Sequence, residues 1–125
     1  MLPLCAEEGL GVLPWSPLAR GRLTRPCDAE TERSRTDEFG KTLYGTANRE
    51  IVERVAKIAD DRGVSRAQVA LAWVASHPAV SAPIVGATKE HHLDDAIASV
   101  ELVLTADEKK SLEEPYTHQP ISGHA

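Results

Sequence analysis

An α/β fold with parallel strand pairing is what this sequence predicts, and three observations predict it. Two short apolar runs, Leu10–Trp15 and Val80–Val85, have the length of buried strands. Helical periodicity stands before, between and after them. Glycines and prolines punctuate the joins. Strands separated by helices pair in parallel through right-handed crossovers.

The elements follow in order. Met1–Glu8 reads as the end of a helix, stopped by Gly9 and Gly11. LGVLPW then forms the first strand, weakened at its end because Pro14 has no ladder N–H. Ser16–Thr24 is a turn and loop. Residues 24–47 are polar, charged and aperiodic, which predicts a long surface loop. Ile51, Val52, Val55, Ile58 and Ala59 share one face of the next helix, with Glu53, Arg54, Lys57, Asp60 and Asp61 largely opposite. Gly63 ends it. Ser65 with Gln68 is a capping pair, and Val69–Ala75 is apolar nearly all round, so this second helix is expected to be buried. His77-Pro78 closes it before the second strand. A helix over Lys89–Ser99 follows, and Thr105 with Glu108 opens a last short one. The tail from Pro115 to Ala125 is expected to be irregular. Two strands cannot close a sheet, so this order reads as a piece of a larger α/β structure.

The chain has 125 residues, 42% hydrophobic and 26% charged, which is ordinary globular material of one-domain length, residues 1–125. A net charge of −5 with no basic stripe argues against a nucleic-acid surface. No apolar stretch approaches the ~20 residues of a membrane span. No charged-then-apolar leader is present, so a cytoplasmic location is the expectation. Cys5 and Cys27 make neither a disulfide framework nor a CxxC site.

Pro83–Leu93, PIVGATKEHHL, carries the most chemistry. Ala82, Ile84 and Val85 end in Gly86 and Ala87, and a helix then opens near Thr88, Lys89, His91 and His92. Small residues admit a ligand close to the backbone, and a helix start offers unpaired N–H groups with a partial positive charge. That combination predicts an anion pocket, most plausibly for phosphate. A Gly-Ala turn also serves packing alone, and both readings stay open at this point.

A second segment turns the balance. WSPLARGRLTR, Trp15–Arg25, resembles the stretch after the seventh barrel strand of the aldo-keto reductases. PIVGATKEHHLDDA, Pro83–Ala96, resembles their eighth strand and the cofactor-binding helix behind it. RAQVALAWVASHP, Arg66–Pro78, stands between them as the family's RxQVALAWxxxxP-type helix does. EEPYTHQPISGHA is similar to the C-terminal tail of bacterial members. The resemblance runs collinearly over essentially the whole chain.

It implies a TIM-type (β/α)8 barrel of which this chain holds the last two strands with their helices. Such enzymes transfer a hydride between NADP(H) and an aldehyde or ketone at the C-terminal mouth of the barrel. The resemblance implies that Ser16, Leu18, Ala19 and Gly21 hold the cofactor's pyrophosphate, chiefly through backbone N–H groups. It implies that Gly86 and Thr88 receive the phosphate of the adenosine ribose. His92 stands where many members have Arg or Gln, and Asp95 where a Glu usually meets the adenine amino group. A neutral imidazole attracts phosphate less than a guanidinium, so NAD(H) stays open beside NADP(H). Ala96 replaces a frequent Asn.

The family's catalytic Asp, Tyr, Lys and His belong to earlier strands, and no segment here matches their motifs. Tyr44 and Tyr116 lie in the long loop and the tail, without a lysine to lower a tyrosine pKa. No catalytic residue is therefore assigned, and Met1 falls where members have mid-chain helix, so a truncated or internally started frame is expected. The expected chain has no turnover alone and folds marginally. Its partners would be a pyridine dinucleotide and the missing N-terminal barrel portion, or else it is a non-catalytic nucleotide-binding fragment or the relic of a truncated gene. Adjacent helical residues diverge by about 100°, so His91 and His92 make no metal site and Glu113 and Glu114 no carboxylate pair. Trp15 and Trp73 are expected in the core or at a barrel rim, although the resemblance implies that Trp15 can also lie near the nicotinamide and stack there. Asp28–Glu38 is a solvated surface, from which Arg33 or Arg35 could reach a bound pyrophosphate.

Overall fold

The structure is a computed structural model, and it describes residues 1–29, 36 and 49–117. Its helices are α1 (Leu2–Glu7), α2 (Arg49–Arg62), α3 (Arg66–Ala75), α4 (Glu90–Glu101) and α5 (Ala106–Glu113), with a 3₁₀ segment over Ala19–Thr24. The long-loop reading, including Tyr44, Arg33 and Arg35, lies almost wholly outside the described residues, as does the tail beyond Thr117.

Glycine ends two of the helices in the same way. Gly9 has φ of 66°; its N–H donates to the Ala6 carbonyl, and Leu10 N–H donates to that of Cys5. Gly63, at φ 65°, repeats the pattern, with its N–H on Asp60 and Val64 N–H on Ala59. Both are Schellman closures that require the left-handed conformation. Gly11 has a different task from the helix stop expected of it. A Cβ there would collide with the Ser81 hydroxyl, so Gly11 lets the second extended segment lie alongside the first.

Those segments do pair in parallel, through bridges Val12–Val80 and Trp15–Ile84. Val12 N–H donates to Ala79 O at 2.8 Å, Ser81 N–H to Val12 O at 2.9 Å, and Ile84 N–H to Pro14 O at 2.9 Å. The bridges are isolated, and no continuous strand forms among the described residues. The reason is local. Pro14 and Pro83 lack donors, and the register slips by one residue between the bridges, a bulge. Nor are the segments buried as expected. Leu10, Leu13, Trp15 and Ile84 are all at least half exposed.

The core lies instead among the helices. Val55, Ile58 and Ala59 of α2 meet Val69 and Ala72 of α3, with Leu104 and Leu112 closing the cluster. Only Val69–Ala72 of α3 are buried; Trp73 is 39% exposed and its indole N–H donates to Glu113 Oε1 at 3.0 Å. Ser65 accepts from Gln68 N–H at 3.1 Å, but the Gln68 side chain does not complete a capping box. It donates to Asp95 on α4 instead. Thr105 and Glu108 form the full reciprocal box. Two arginines of α2 fasten the last helix: Arg62 holds both oxygens of Glu108 at 2.7 Å, and Arg54 donates to the Ser111 carbonyl and to Glu114, each at 2.7 Å.

Helix α4 packs chiefly on α3, starting one residue later and ending two later than the periodicity suggests. Among its residues only Ser99 is buried. Leu93, Ile97 and Val100, spaced to share one face, are exposed.

Candidate functional site

Parallel pairing sends both extended segments out of the same edge. Trp15 pairs with Ile84, so Ser16 begins one loop directly beyond that bridge, and Gly86 begins the other two residues beyond it. The ends of parallel strands with helical crossovers are where α/β folds receive ligands.

The first loop is tightly wound. Ser16 O accepts from Ala19 N–H at 2.9 Å in a turn with Pro17 at its second position, and Leu18 O accepts from Gly21 N–H at 2.9 Å. Ser16, Ala19 and Arg20 have positive φ of 53°, 48° and 56°, and Gly21 follows at 90°. Three non-glycine residues in the left-handed region within five positions is a costly arrangement, of the kind concentrated at ligand sites. Gly21 is favoured here by its φ of 90°, while a Cβ would meet only the movable end of the Arg25 side chain. Its carbonyl is held by Thr24 Oγ1 at 2.9 Å and by Arg25 Nε at 3.2 Å. The Ala19 and Gly21 amides, expected to face a pyrophosphate, are thus engaged in turns. The Ser16 and Leu18 amides have no backbone acceptor among the described residues.

The second loop is open. Gly86 needs its missing side chain neither for φ nor for a neighbour, since the space where a Cβ would stand has no atom within 4 Å. Thr88 and His92 come together: Nδ1 of His92 lies 3.4 Å from the Thr88 amide, which donates to it, and 3.5 Å from the Thr88 hydroxyl. Lys89 is the N-cap of α4 and makes no side-chain capping bond. Asp95, one turn on, accepts from Gln68 Nε2 at 2.8 Å through Oδ1. The His91 and His92 rings meet edge-on at 4.4 Å, and no group of three or more potential metal ligands occurs among the described residues.

Charge separates the site from the rest. No carboxylate occurs from Gly9 to Cys27 or from Gly63 to Lys89, although the chain is net negative. Those stretches carry Arg20, Arg22, Arg25, Arg66 and Lys89. Amides, hydroxyls, guanidinium groups and an imidazole form a donor set suited to an anion. The sequence reading passed over Arg20, whose guanidinium carbon lies 5.6 Å from the centre of the Trp15 ring. Its three-arginine neighbourhood was the available signal. A separate open cleft of about 110 Å³, lined by Cys27, Arg49, Val52 and Arg66 among others, lies along α2 rather than at the strand ends. No helix among the described residues is long and apolar enough to cross a membrane.

Comparison with known proteins agrees with the collinear motifs. A family model described as the aldo/keto reductase family matches residues 1–116. A Schizosaccharomyces pombe protein named for the aryl-alcohol dehydrogenases is 47% identical over 98% of this chain and 35% of its own length. Versiconal hemiacetal acetate reductase of Aspergillus parasiticus is 42% identical, over 97% of this chain and 36% of that protein. Aldo-keto reductase AMT2 of Alternaria alternata is 35% identical over 100% of this chain and 34% of that protein. These relatives are fungal, which removes the support for the bacterial affinity expected from the tail. The chain spans about a third of their length. With its motifs in order and the match extending through nearly every residue, the chain belongs to the aldo/keto reductase family.

Proposed function

We propose that this chain is the C-terminal, cofactor-binding part of an aldo-keto reductase: the last two strands of a (β/α)8 barrel with their helices. In the intact cytoplasmic enzyme the bound cofactor, NADP(H) by preference with NAD(H) as the alternative, exchanges a hydride with an aldehyde or ketone. The observation that carries this reading is the Trp15–Ile84 bridge, which starts both candidate loops from one edge.

Ser16, Leu18, Ala19 and Gly21 would hold the diphosphate, Gly86 and Thr88 the ribose phosphate, and His92 and Asp95 the adenine end. The unspent amides of Ser16 and Leu18 and the clear space beside Gly86 support this assignment. Use of the Ala19 and Gly21 amides requires the turns to loosen, and Asp95 has one oxygen committed to Gln68. Proton transfer and substrate binding fall to groups outside this chain, which offers no catalytic residue.

Isothermal titration of the 125-residue chain tests the reading. NADP⁺ and 2′,5′-ADP should both bind, and Thr88→Ala should weaken both. Absence of binding by either compound would overturn it. Pure chain should give no cofactor-dependent carbonyl reduction, and turnover would overturn the division of labour.

A second reading, a non-catalytic fragment that complements a separate N-terminal portion, is favoured by one observation. The apolar residues Leu13, Trp15, Ile84, Leu93, Ile97 and Val100 are exposed, on the strand pair and on α4. Such faces need a polypeptide to cover them.

A further inference from the structure

Gln68 sends its side chain away from the helix it helps to start. Three residues after Ser65, it stands where a glutamine normally reaches back to the N-cap amide of its own helix. Only the backbone half of that exchange forms, with Gln68 N–H donating to Ser65 Oγ at 3.1 Å. The side-chain amide crosses instead to α4 and donates through Nε2 to Asp95 Oδ1 at 2.8 Å. A carboxylate only accepts, so the amide presents its NH₂ and not its carbonyl to Asp95. Both residues are half-buried where α3 and α4 pack, and a donor on a carboxylate gains from that partial shielding.

The rest of the Asp95 carboxylate is uncommitted. Asp95 lies one turn after His92 and shares the more buried face of α4 with Ala96 and Ser99. Ser99 returns its hydroxyl to the Ala96 carbonyl at 2.7 Å, and Ala96 has no polar side-chain atom. Nδ1 of His92 already lies against the Thr88 amide. Among the described residues Asp95 makes no hydrogen bond or ion pair besides the one with Gln68. Oδ2 is therefore an open acceptor on a carboxylate whose rotation Gln68 restrains.

We propose that Gln68 is a positioning residue for the adenine end: by tying Oδ1 it aims Oδ2 of Asp95 and makes the site selective for a 6-aminopurine over a 6-oxopurine. This rests on the cofactor reading above and adds to it a residue that touches no ligand. A fixed acceptor takes an N–H from a 6-amino group. Against a 6-oxo group it meets a carbonyl, and two facing acceptors lose their water without a hydrogen bond in return. An untied carboxylate turns to solvent or to the ring N–H beside the 6-oxo group, and the selectivity disappears. The tie thus acts on the ratio of two affinities and not on binding as a whole.

The probes are NADP⁺ and its 6-oxo counterpart, nicotinamide hypoxanthine dinucleotide phosphate, which has the same phosphates and nicotinamide. Titration calorimetry of the 125-residue chain should give about a tenfold preference for NADP⁺. Gln68→Glu keeps the size without the donor, and the preference should fall below about twofold, chiefly through weaker NADP⁺ binding. Gln68→Met is a second variant without a donor, and it gives the decision if Gln68→Glu folds poorly. Gln68→Lys donates to Asp95 again and should recover a preference of about fivefold, whatever its added charge does to both affinities together. A purely structural tie would instead lower both affinities in parallel and leave their ratio alone, with the loss of fold read by urea unfolding. An unchanged ratio in the variants without a donor, or parallel losses for both probes, would overturn the proposal and leave the cofactor reading standing. Equal binding of the two probes by the parent chain would do the same. Binding of neither probe by the parent chain would overturn both.

Discussion

The helical cluster and the strand edge are built from the same kinds of residue and meet opposite fates. Val69 and Ala59 are at most 1% exposed between α2 and α3, and Leu71 of α3 is 2% exposed, whereas Leu13, Trp15 and Ile97 are about as apolar and 58–62% exposed. The difference teaches that apolar patterning records what a segment is made to bury, not what this chain buries with it. In the cluster every partner is present. At the strand edge and on the exposed face of α4 no described residue covers the apolar side chains, and the chain spans about a third of the length of its relatives.

The sharpest break in this comparison comes from its best-packed point. Leu71→Ala removes a side chain that is 2% exposed and leaves a cavity among tightly packed neighbours. It should cost about 3 kcal/mol in urea unfolding followed by far-UV circular dichroism. A loss below about 1 kcal/mol would mean that the buried side of α3 is loosely packed and no better filled than the edge.

Electrostatic fastening should come next. The Arg62 guanidinium grips both oxygens of Glu108 and, with the Thr105 amide, holds its carboxyl at about 2, down from 4.5. A carboxylate with a depressed folded pKa stabilises fully above the unfolded value and loses that contribution as the pH falls through the folded one. The window is therefore from about pH 4.5 down to about 2. Glu108→Gln keeps the capping geometry and removes the charge. After solvent screening it should cost about 1–2 kcal/mol near neutral pH and flatten the stability profile across that window. Glu114, lowered by the Arg54 guanidinium, works in the same direction. Thr105→Ala should cost about 1 kcal/mol, because the Glu108 amide then loses its acceptor at the start of α5.

Local rules made the cluster legible in sequence. The face Ile51, Val52, Val55, Ile58 and Ala59, the stops at Gly9 and Gly63, and the Thr105–Glu108 box each depend on residues within one or two turns. The strands were legible as apolar runs whose parallel pairing followed from helical crossovers, but not their brevity. That depends on Pro14 and Pro83 removing donors on both partners, together with a slipped register between them. Of the site, Gly21 and Gly86 could be singled out by type. The αL turn that lifts Arg20 onto Trp15 could not, because nothing about an arginine announces positive φ. Gln68 misled for a related reason: capping spacing was right, yet the side chain found a better partner across the helix interface in Asp95.

The smallest effect tests the exposed side. Val100 is 77% exposed on α4, so Val100→Ser should change the stability of the isolated chain by less than about 0.5 kcal/mol. Polar substitution there should also raise the fraction of soluble monomer in sedimentation, since the stripe of Leu93, Ile97 and Val100 otherwise offers an apolar contact to any neighbour. A destabilisation above about 1 kcal/mol would put this valine inside a packed interface of the isolated chain, and the contrast between the two regions would collapse. If a separate N-terminal portion covers this face, the same substitution should weaken their association while leaving the unfolding curve of the 125-residue chain in place. Two nearly identical unfolding curves with two different assembly profiles would thus be the signature of apolar surface that belongs to a partner rather than to the chain's own core.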